Sequence, residues 1–231
     1  LNATVSNGGG YMGECQFGGA QRGGHDFLWG EYCDWYLEMS KIRMRAGDDS
    51  PLPFLAYVLE QTLRLLHPFM PFITEEIWGN LAPILPAAYE APSALIVASY
   101  PVADPALTDP QAESDIGAVV EMVRAIRNLR AEFRIEGNRS VPAVVDAPGL
   151  EAVIASESPA IVALAQVDPL NMASGSDGAM NGDSISLVLS RGTVNVPLEG
   201  VVDVDREKAR LTEELQQIES GAQRLSARLA K

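Results

Sequence analysis

The fold is decided by the stretch Leu65-Leu66-His67-Pro68-Phe69-Met70-Pro71-Phe72-Ile73-Thr74-Glu75-Glu76-Ile77-Trp78. Its two prolines, Pro68 and Pro71, lack the amide donor that a helix needs and clash with the preceding turn. Before them, apolar residues recur from Pro51 to His67 at the spacing of a core-facing helix. After them, Thr74-Glu75-Glu76 suits the first turn of a second helix, because acidic side chains favour a helix N-terminus. The sequence therefore predicts a corner between two packed helices.

Length and composition indicate a soluble globular protein. The 231 residues can hold one large or two modest domains, and 47% of them are hydrophobic and 21% charged. No apolar run approaches the length of a membrane span, and residues 1–24 lack the basic start and apolar centre of a signal peptide. Cys15 and Cys33 lie in unlike contexts, so they predict neither a metal site nor a disulfide framework. We expect a protein of the reducing cytoplasm.

The formal net charge of −14 restricts how the chain could bind nucleic acid. Most of so acidic a surface repels phosphate. Any contact with RNA must therefore come from a local basic face.

The first 25 residues are rich in glycine. Gly8-Gly9-Gly10, Gly18-Gly19 and Gly23-Gly24 are too much glycine for a stable helix or strand. No phosphate-binding fingerprint with Lys-Ser or Lys-Thr follows them, so a nucleotide loop is not predicted. We expect residues 1–25 to form a lead that is either flexible or altered by cloning.

From Asp26 onward the pattern is typical of a helix. Apolar residues recur at steps of three and four, at Leu28, Tyr32, Trp35, Met39, Ile42 and Ala46. Asp26 could cap the start of this helix and Gly47 its end. The helix beyond the corner is followed by a proline-punctuated segment, residues 83–110, which we expect to wrap over the bundle.

The same helix carries candidate RNA-binding residues. Tyr32 offers a ring on which an unstacked base of an RNA loop could stack. Near the C-terminal end of the helix, Lys41, Arg43 and Arg45 could bind phosphate. The alternatives are a core role for the aromatic ring and a solvated helix end for the basic side chains.

A second basic face is predicted on a long helix over residues 113–135. Its apolar stripe shifts partway along, and arginines then occupy the positions that apolar residues held earlier. The arginines are Arg124, Arg127, Arg130 and Arg134. They could bind the phosphates of an RNA backbone, or they could form salt bridges between domains, for example with Glu121 or Glu132.

The rest of the chain predicts a small α+β module followed by a coiled coil. The module, residues 137–203, has a strand at 141–145, a helix at 149–165, a polar loop at 174–183 and a hairpin that turns at Arg191-Gly192. It contains no His, no Cys and no convergent acid pair, so we assign it no catalysis. In residues 204–231, apolar positions alternate at steps of four and three, which is typical of a coiled-coil seam. Because the seam is unfinished at Lys231, we expect a truncated helix.

Four ordered stretches resemble the valyl-tRNA synthetases. They are the corner His67–Trp78, the helix Asp26-Phe27-Leu28-Trp29-Gly30-Glu31-Tyr32-Cys33-Asp34-Trp35-Tyr36-Leu37-Glu38-Met39-Ser40-Lys41, the arginine-bearing Val123–Glu132, and Val196–Asp205. Only the glycine-rich lead departs from the family pattern. The resemblance implies a multidomain, mainly α fragment, with a helical-bundle anticodon-binding domain at 26–136, the α+β module and the start of the C-terminal coiled coil.

The resemblance also implies a function. The parent enzyme would be a cytoplasmic class I aminoacyl-tRNA synthetase that attaches valine to tRNA-Val with ATP and Mg²⁺, acting as a monomer. The fragment would need no cofactor, because the adenylate motifs His-Ile-Gly-His and Lys-Met-Ser-Lys are absent. Glu38–Lys41 resembles the second motif by chance and lies in mid-helix. Cys33 and His67 lack a third orienting group, so we predict no catalytic residue.

A different class of function stays open on the sequence alone. The net acidity and the unpaired coiled-coil seam are also compatible with a protein-interaction scaffold that self-associates through the seam. Salt-sensitive binding to tRNA-Val would favour the RNA-binding module, whereas self-association without RNA affinity would favour the scaffold.

Overall fold

The computed structural model describes residues 1–86, 89–137, 139–173 and 184–197, together with 212, 215–220 and 222–223. The chain divides into two compact units, Leu1–Pro110 and Gln111–Lys231. The division falls at the start of the long linking helix, whereas the sequence led us to place it after that helix, at residue 136. The mainly helical character and the small sheet that the sequence predicts are both present.

The first unit is built from helices. They are α1 (Asn2–Gly13), α2 (Phe17–Phe27), a π-helical stretch (Leu28–Leu37), α3 (Glu38–Arg45), α4 (Leu52–Leu66) and α5 (Pro71–Leu81), with 3₁₀ turns at Ala82–Ile84, Leu95–Val97 and Pro105–Leu107. The buried side chains of α4 take part in two core clusters. One contains Tyr32 and Leu55, and the other contains Leu63 and Trp78.

The predicted corner is confirmed. Helix α4 ends at Leu66 and α5 starts at Pro71, which occupies its first position, where a missing amide donor costs nothing. Inside the corner, His67 Nδ1 lies 2.8 Å from Thr74 Oγ1, and Thr74 donates to the Met70 carbonyl at 2.8 Å. The contact between the two side chains joins the end of α4 to the first turn of α5.

The expectation of a flexible glycine-rich lead is wrong. Residues 2–27 form α1 and α2, and these helices pack against each other and against α4. The physical reason is close approach: a Cβ atom at Gly24 would lie 2.9 Å from Leu66 Cδ2, and one at Gly19 would lie 3.1 Å from the Tyr11 ring. Tertiary packing of this kind outweighs the poor helix propensity of glycine.

The helix that the sequence predicts from Asp26 starts earlier, at Phe17, so Asp26 does not cap it. Its middle, Leu28–Leu37, is π-helical. Gly47 ends it as predicted, with φ +88°, and the amide of Asp48 donates to the Arg43 carbonyl at 3.1 Å while that of Gly47 donates to Met44 at 2.9 Å. This bond pattern is the Schellman motif, which favours glycine because of the positive φ.

Residues 89–110 lie along the first unit as an ordered segment, as predicted. Leu95 is buried, and its amide donates to the Glu75 carboxylate at 3.0 Å. Trp78 Nε1 donates to the Pro92 carbonyl at 3.2 Å, and the Asp104 amide donates to Asn2 Oδ1 at 3.0 Å. The segment is therefore hydrogen-bonded both to α5 and to the start of α1.

The second unit begins with the long helix and continues as a small sheet. Its elements are α6 (Pro110–Glu132), β1 (Val141–Asp146), α7 (Glu151–Ala165), β2 (Val167–Met172), β3 (Ser184–Leu189) and β4 (Gly192–Pro197). The strand order is β2-β1-β4-β3; β1 and β2 are parallel, and the other pairs are antiparallel. The predicted strand, helix and hairpin are confirmed, while β2 was not predicted.

Several predictions fall outside the described residues. They are the polar loop at 174–183, most of Val196–Asp205 and most of the coiled-coil helix at 204–231. Among the helices that are described, none is both long enough and apolar enough to cross a membrane.

Two neighbouring glycines of α2 test the close approach to α4. Gly23 has open space where its Cβ would be, so we expect Gly23→Ala to raise the free energy of unfolding by about 0.5–1 kcal/mol through helix propensity. At Gly24 the added methyl group would press on the Leu66 side chain, which is 1% exposed and must repack among its neighbours, so we expect Gly24→Ala to lower that free energy by about 1 kcal/mol. Urea unfolding of both variants measures the difference. An equal gain in both would contradict the packing of α2 on Leu66.

Candidate nucleic-acid interface

Tyr32, the predicted stacking residue, is part of the core. It is 6% exposed, and its hydroxyl donates to the Leu55 carbonyl of α4 at 3.0 Å. Burial raises the pKa of Tyr32 to about 12. A ring that is 6% exposed offers little surface to a base, which favours the core alternative for Tyr32 over stacking on RNA.

The basic cluster at the end of α3 is partly engaged in ion pairs. Lys41 Nζ lies 2.6 Å from Glu38 Oε1, an i,i+3 pair on the helix surface. Arg43 reaches across the turn after α3: its Nη2 lies 2.7 Å from Asp48 Oδ2 and donates to Ser50 Oγ at 2.9 Å. Hydrogen bonds from the hydroxyl and the amide of Ser50, and after them the bond from Arg43, lower the pKa of Asp48 to about 2.

Arg45, the last residue of α3, differs from its neighbours. It is exposed and makes no hydrogen bond or ion pair with another described residue. A side chain of this kind can pair with a phosphate without first breaking an internal contact.

Arg130 of α6 is a structural residue. It is 7% exposed, and its guanidinium makes four hydrogen bonds. The acceptors are the carbonyls of Glu136, Arg139 and Gln166 and the side chain of Gln166, and the shortest of these bonds is 2.6 Å. Burial lowers the pKa of Arg130. The predicted contact of Arg130 with RNA is therefore wrong, because its donors already bind the turns that flank the sheet.

The remaining arginines of the predicted basic face are exposed. Arg127 Nε donates to the Leu164 carbonyl at 2.7 Å, so it helps to hold the end of α7. Arg124 lies on the exposed side of α6, and Arg134 lies just beyond the helix with φ +50°. Glu121, considered as a salt-bridge partner, instead accepts hydrogen bonds from the amide and hydroxyl of Ser190. These three arginines stay predicted RNA contacts.

The sequence reasoning overlooked two exposed aromatic residues of α4. Phe54 is 64% exposed and Tyr57 is 47% exposed, and both lie off the apolar stripe that faces the core. That position was a readable signal, because an aromatic residue on the polar side of an amphipathic helix does not serve the core. The structure thus gathers Arg43, Arg45 and Phe54 near the junction of α3 and α4.

Comparison with known proteins agrees with this fold. Residues 1–145 match the family model described as the anticodon-binding domain of tRNA ligase. The match starts at the first residue and includes the glycine-rich lead. The expectation that this lead departs from the family is therefore wrong. The chain belongs to the family of anticodon-binding domains of tRNA ligases.

Several similar curated proteins are named valine–tRNA ligase. The chain is 44% identical to that of Dehalococcoides mccartyi (strain CBDB1) over 221 residues, which are 95% of this chain and 25% of that protein. It is 37% identical to that of Lactiplantibacillus plantarum (91% and 23% covered) and 32% identical to that of Bacillus subtilis (99% and 26% covered). The chain spans about a quarter of the length of these relatives.

The core role of Tyr32 predicts the effect of Tyr32→Phe. Losing the hydroxyl removes one buried hydrogen bond, so we expect a loss of about 1 kcal/mol of stability with no loss of RNA affinity. Because folding raises the pKa of Tyr32 from 10.0 to about 12, the folded state holds this proton more tightly than the unfolded state. This contribution to stability is complete below pH 10 and is lost between pH 10 and 12, so the variant should lose less stability over that range.

Unfolding curves from pH 8 to 12 measure this effect, with exposed Tyr57→Phe as the control, which should leave stability unchanged. A Tyr32→Phe protein that kept its full stability would contradict the structural role of the Tyr32 hydroxyl.

The structural role of Arg130 gives a second prediction. We expect Arg130→Ala to cost about 2–4 kcal/mol of unfolding free energy, because it removes a buried side chain and the four hydrogen bonds that the side chain donates. Arg134→Ala removes an exposed arginine of the same set and should change stability by less than about 0.5 kcal/mol. Urea unfolding separates the two; equal, small effects would show that the Arg130 bonds do not hold the second unit together.

Proposed function

We propose that this chain is the tRNA-binding portion of a valine–tRNA ligase, and that it binds the anticodon arm of tRNA-Val. The observation that carries the proposal is the identity to valine–tRNA ligases over nearly the whole chain, in a region that includes an anticodon-binding domain. The exposed basic residues Arg45, Arg124, Arg127 and Arg134 support it, because backbone phosphates are bound mainly by arginine and lysine.

The longer protein would join valine to tRNA-Val with ATP and Mg²⁺ in the cytoplasm. In this proposal the catalytic work belongs to residues outside this sequence, and the chain itself contributes position and recognition. Binding energy gained far from the reacting centre can still raise the rate, since it holds the substrate in a productive geometry.

A titration of the chain with tRNA-Val tests the proposal. The partner is a transcript of tRNA-Val, and the comparison is the same transcript with its anticodon loop changed, each at low and moderate salt. We expect tighter binding of the native loop, and we expect that preference to survive added salt, because base contacts are screened less than phosphate contacts. Equal binding of the two transcripts would mean that the chain contacts only the RNA backbone and does not recognise the anticodon. No binding to either transcript would contradict the proposal.

A further inference from the structure

The outer face of α4 carries aromatic side chains that the core does not use. Phe54 lies in the first turn of the helix and Tyr57 lies three residues later, so the two are neighbours on the helix surface. They are 64% and 47% exposed, whereas Leu55 between them is buried against the π-helical stretch. Two adjacent exposed rings form a small apolar surface of the kind on which a base can stack.

The surroundings of these rings point to the kind of molecule. Ser50 immediately precedes Pro51, the N-cap of α4, and the Arg43 guanidinium donates to the Ser50 hydroxyl. Arg43 is therefore held at the end of α4 that carries Phe54, by the salt bridge to Asp48. Arg45 follows at the end of α3, exposed and without a bond to another described residue. Exposed aromatic rings on α4 and an exposed arginine at the end of the preceding helix are residue types that bind single-stranded nucleic acid.

We propose that Phe54 and Tyr57 form a stacking platform for an unpaired base of an RNA loop, with Arg45 at the adjoining phosphate. The inference rests on the proposed function and adds to it the side chains that would receive the base. Phe54 and Tyr57 thus take the stacking role that the sequence assigned to Tyr32. The Tyr32 side chain is buried and donates a hydrogen bond to the Leu55 carbonyl. Two acids, Asp48 and Asp49, lie in the same turn; Asp48 is paired with Arg43, and Asp49 is exposed and would oppose a phosphate there.

The chain offers a matched control for this proposal. Phe72 of α5 is 92% exposed, so Phe72→Ala removes the same side chain from a surface that lacks the arginine-bearing turn. The test uses the full chain and a tRNA-Val transcript with 2-aminopurine in the anticodon loop, and it records both Kd and the fluorescence quenching that stacking causes.

We expect Phe54→Ala/Tyr57→Ala to weaken binding on the order of tenfold or more and to abolish the quenching, since stacking on one aromatic ring contributes about 1–3 kcal/mol. Phe72→Ala should leave both readouts unchanged. Phe54→Trp, which keeps an aromatic face, should retain most of the affinity. Arg45→Gln should reduce the slope of log K against log salt by about 0.7, the value for one phosphate of a single strand.

The outcomes distinguish the inference from the function on which it rests. If the wild-type chain binds and the double variant binds equally well, the platform is wrong while the proposed function stands. If Phe72→Ala weakens RNA binding as much as the double variant does, the exposed rings contribute only non-specific apolar contact. That result would also overturn the stacking platform. If the wild-type chain does not bind the transcript, both fall. Circular dichroism of each variant shows that the fold is retained.

Discussion

Burial of α4 is the constraint on which the first unit depends. The helix meets α2 where Leu66 fills the space left by Gly24, the π-helical stretch where Tyr32 donates to Leu55, and α5 where Leu63 packs with Trp78. Its remaining buried side holds an ion pair between Glu60 and Arg64. A buried carboxylate is costly unless it is paired, so Glu60 requires Arg64 to stay in place.

Arg64 of that ion pair also connects α4 to the segment at residues 89–110, which lies along the first unit. Arg64 donates to the Tyr89 hydroxyl at 2.8 Å and to the Ser99 carbonyl at 3.3 Å. One guanidinium thereby neutralises a buried acid and fixes two points of a chain that has little regular structure of its own. Phe54 and Tyr57 lie on the outer face of the same helix, so the backbone that carries these rings is fixed by the packing of α4.

The sequence was informative where local chemistry decides the structure, and less so where packing does. Pro68, Pro71 and Gly47 act through their own backbones, so the corner and the helix end could be predicted. The helices of the glycine-rich lead could not, because their stability comes from neighbours distant in sequence. Strand β2, Val167–Met172, was missed because it contains a proline and alternates poorly, and such a strand is tolerated at the edge of a sheet. Arg130 and Arg134 look alike in sequence, yet only the fold shows that one is buried.

An acidic chain that binds RNA needs contacts that do not depend on charge alone. With a net charge of −14, long-range attraction to phosphate is weak or absent, and the arginines that are engaged internally, such as Arg130, add little to it. Stacking on an aromatic ring gains its energy at short range and is little affected by salt. In the proposed function, affinity would therefore come from a few aromatic contacts guided by a local cation, and the acidic remainder of the surface would disfavour RNA that lacks an accessible loop.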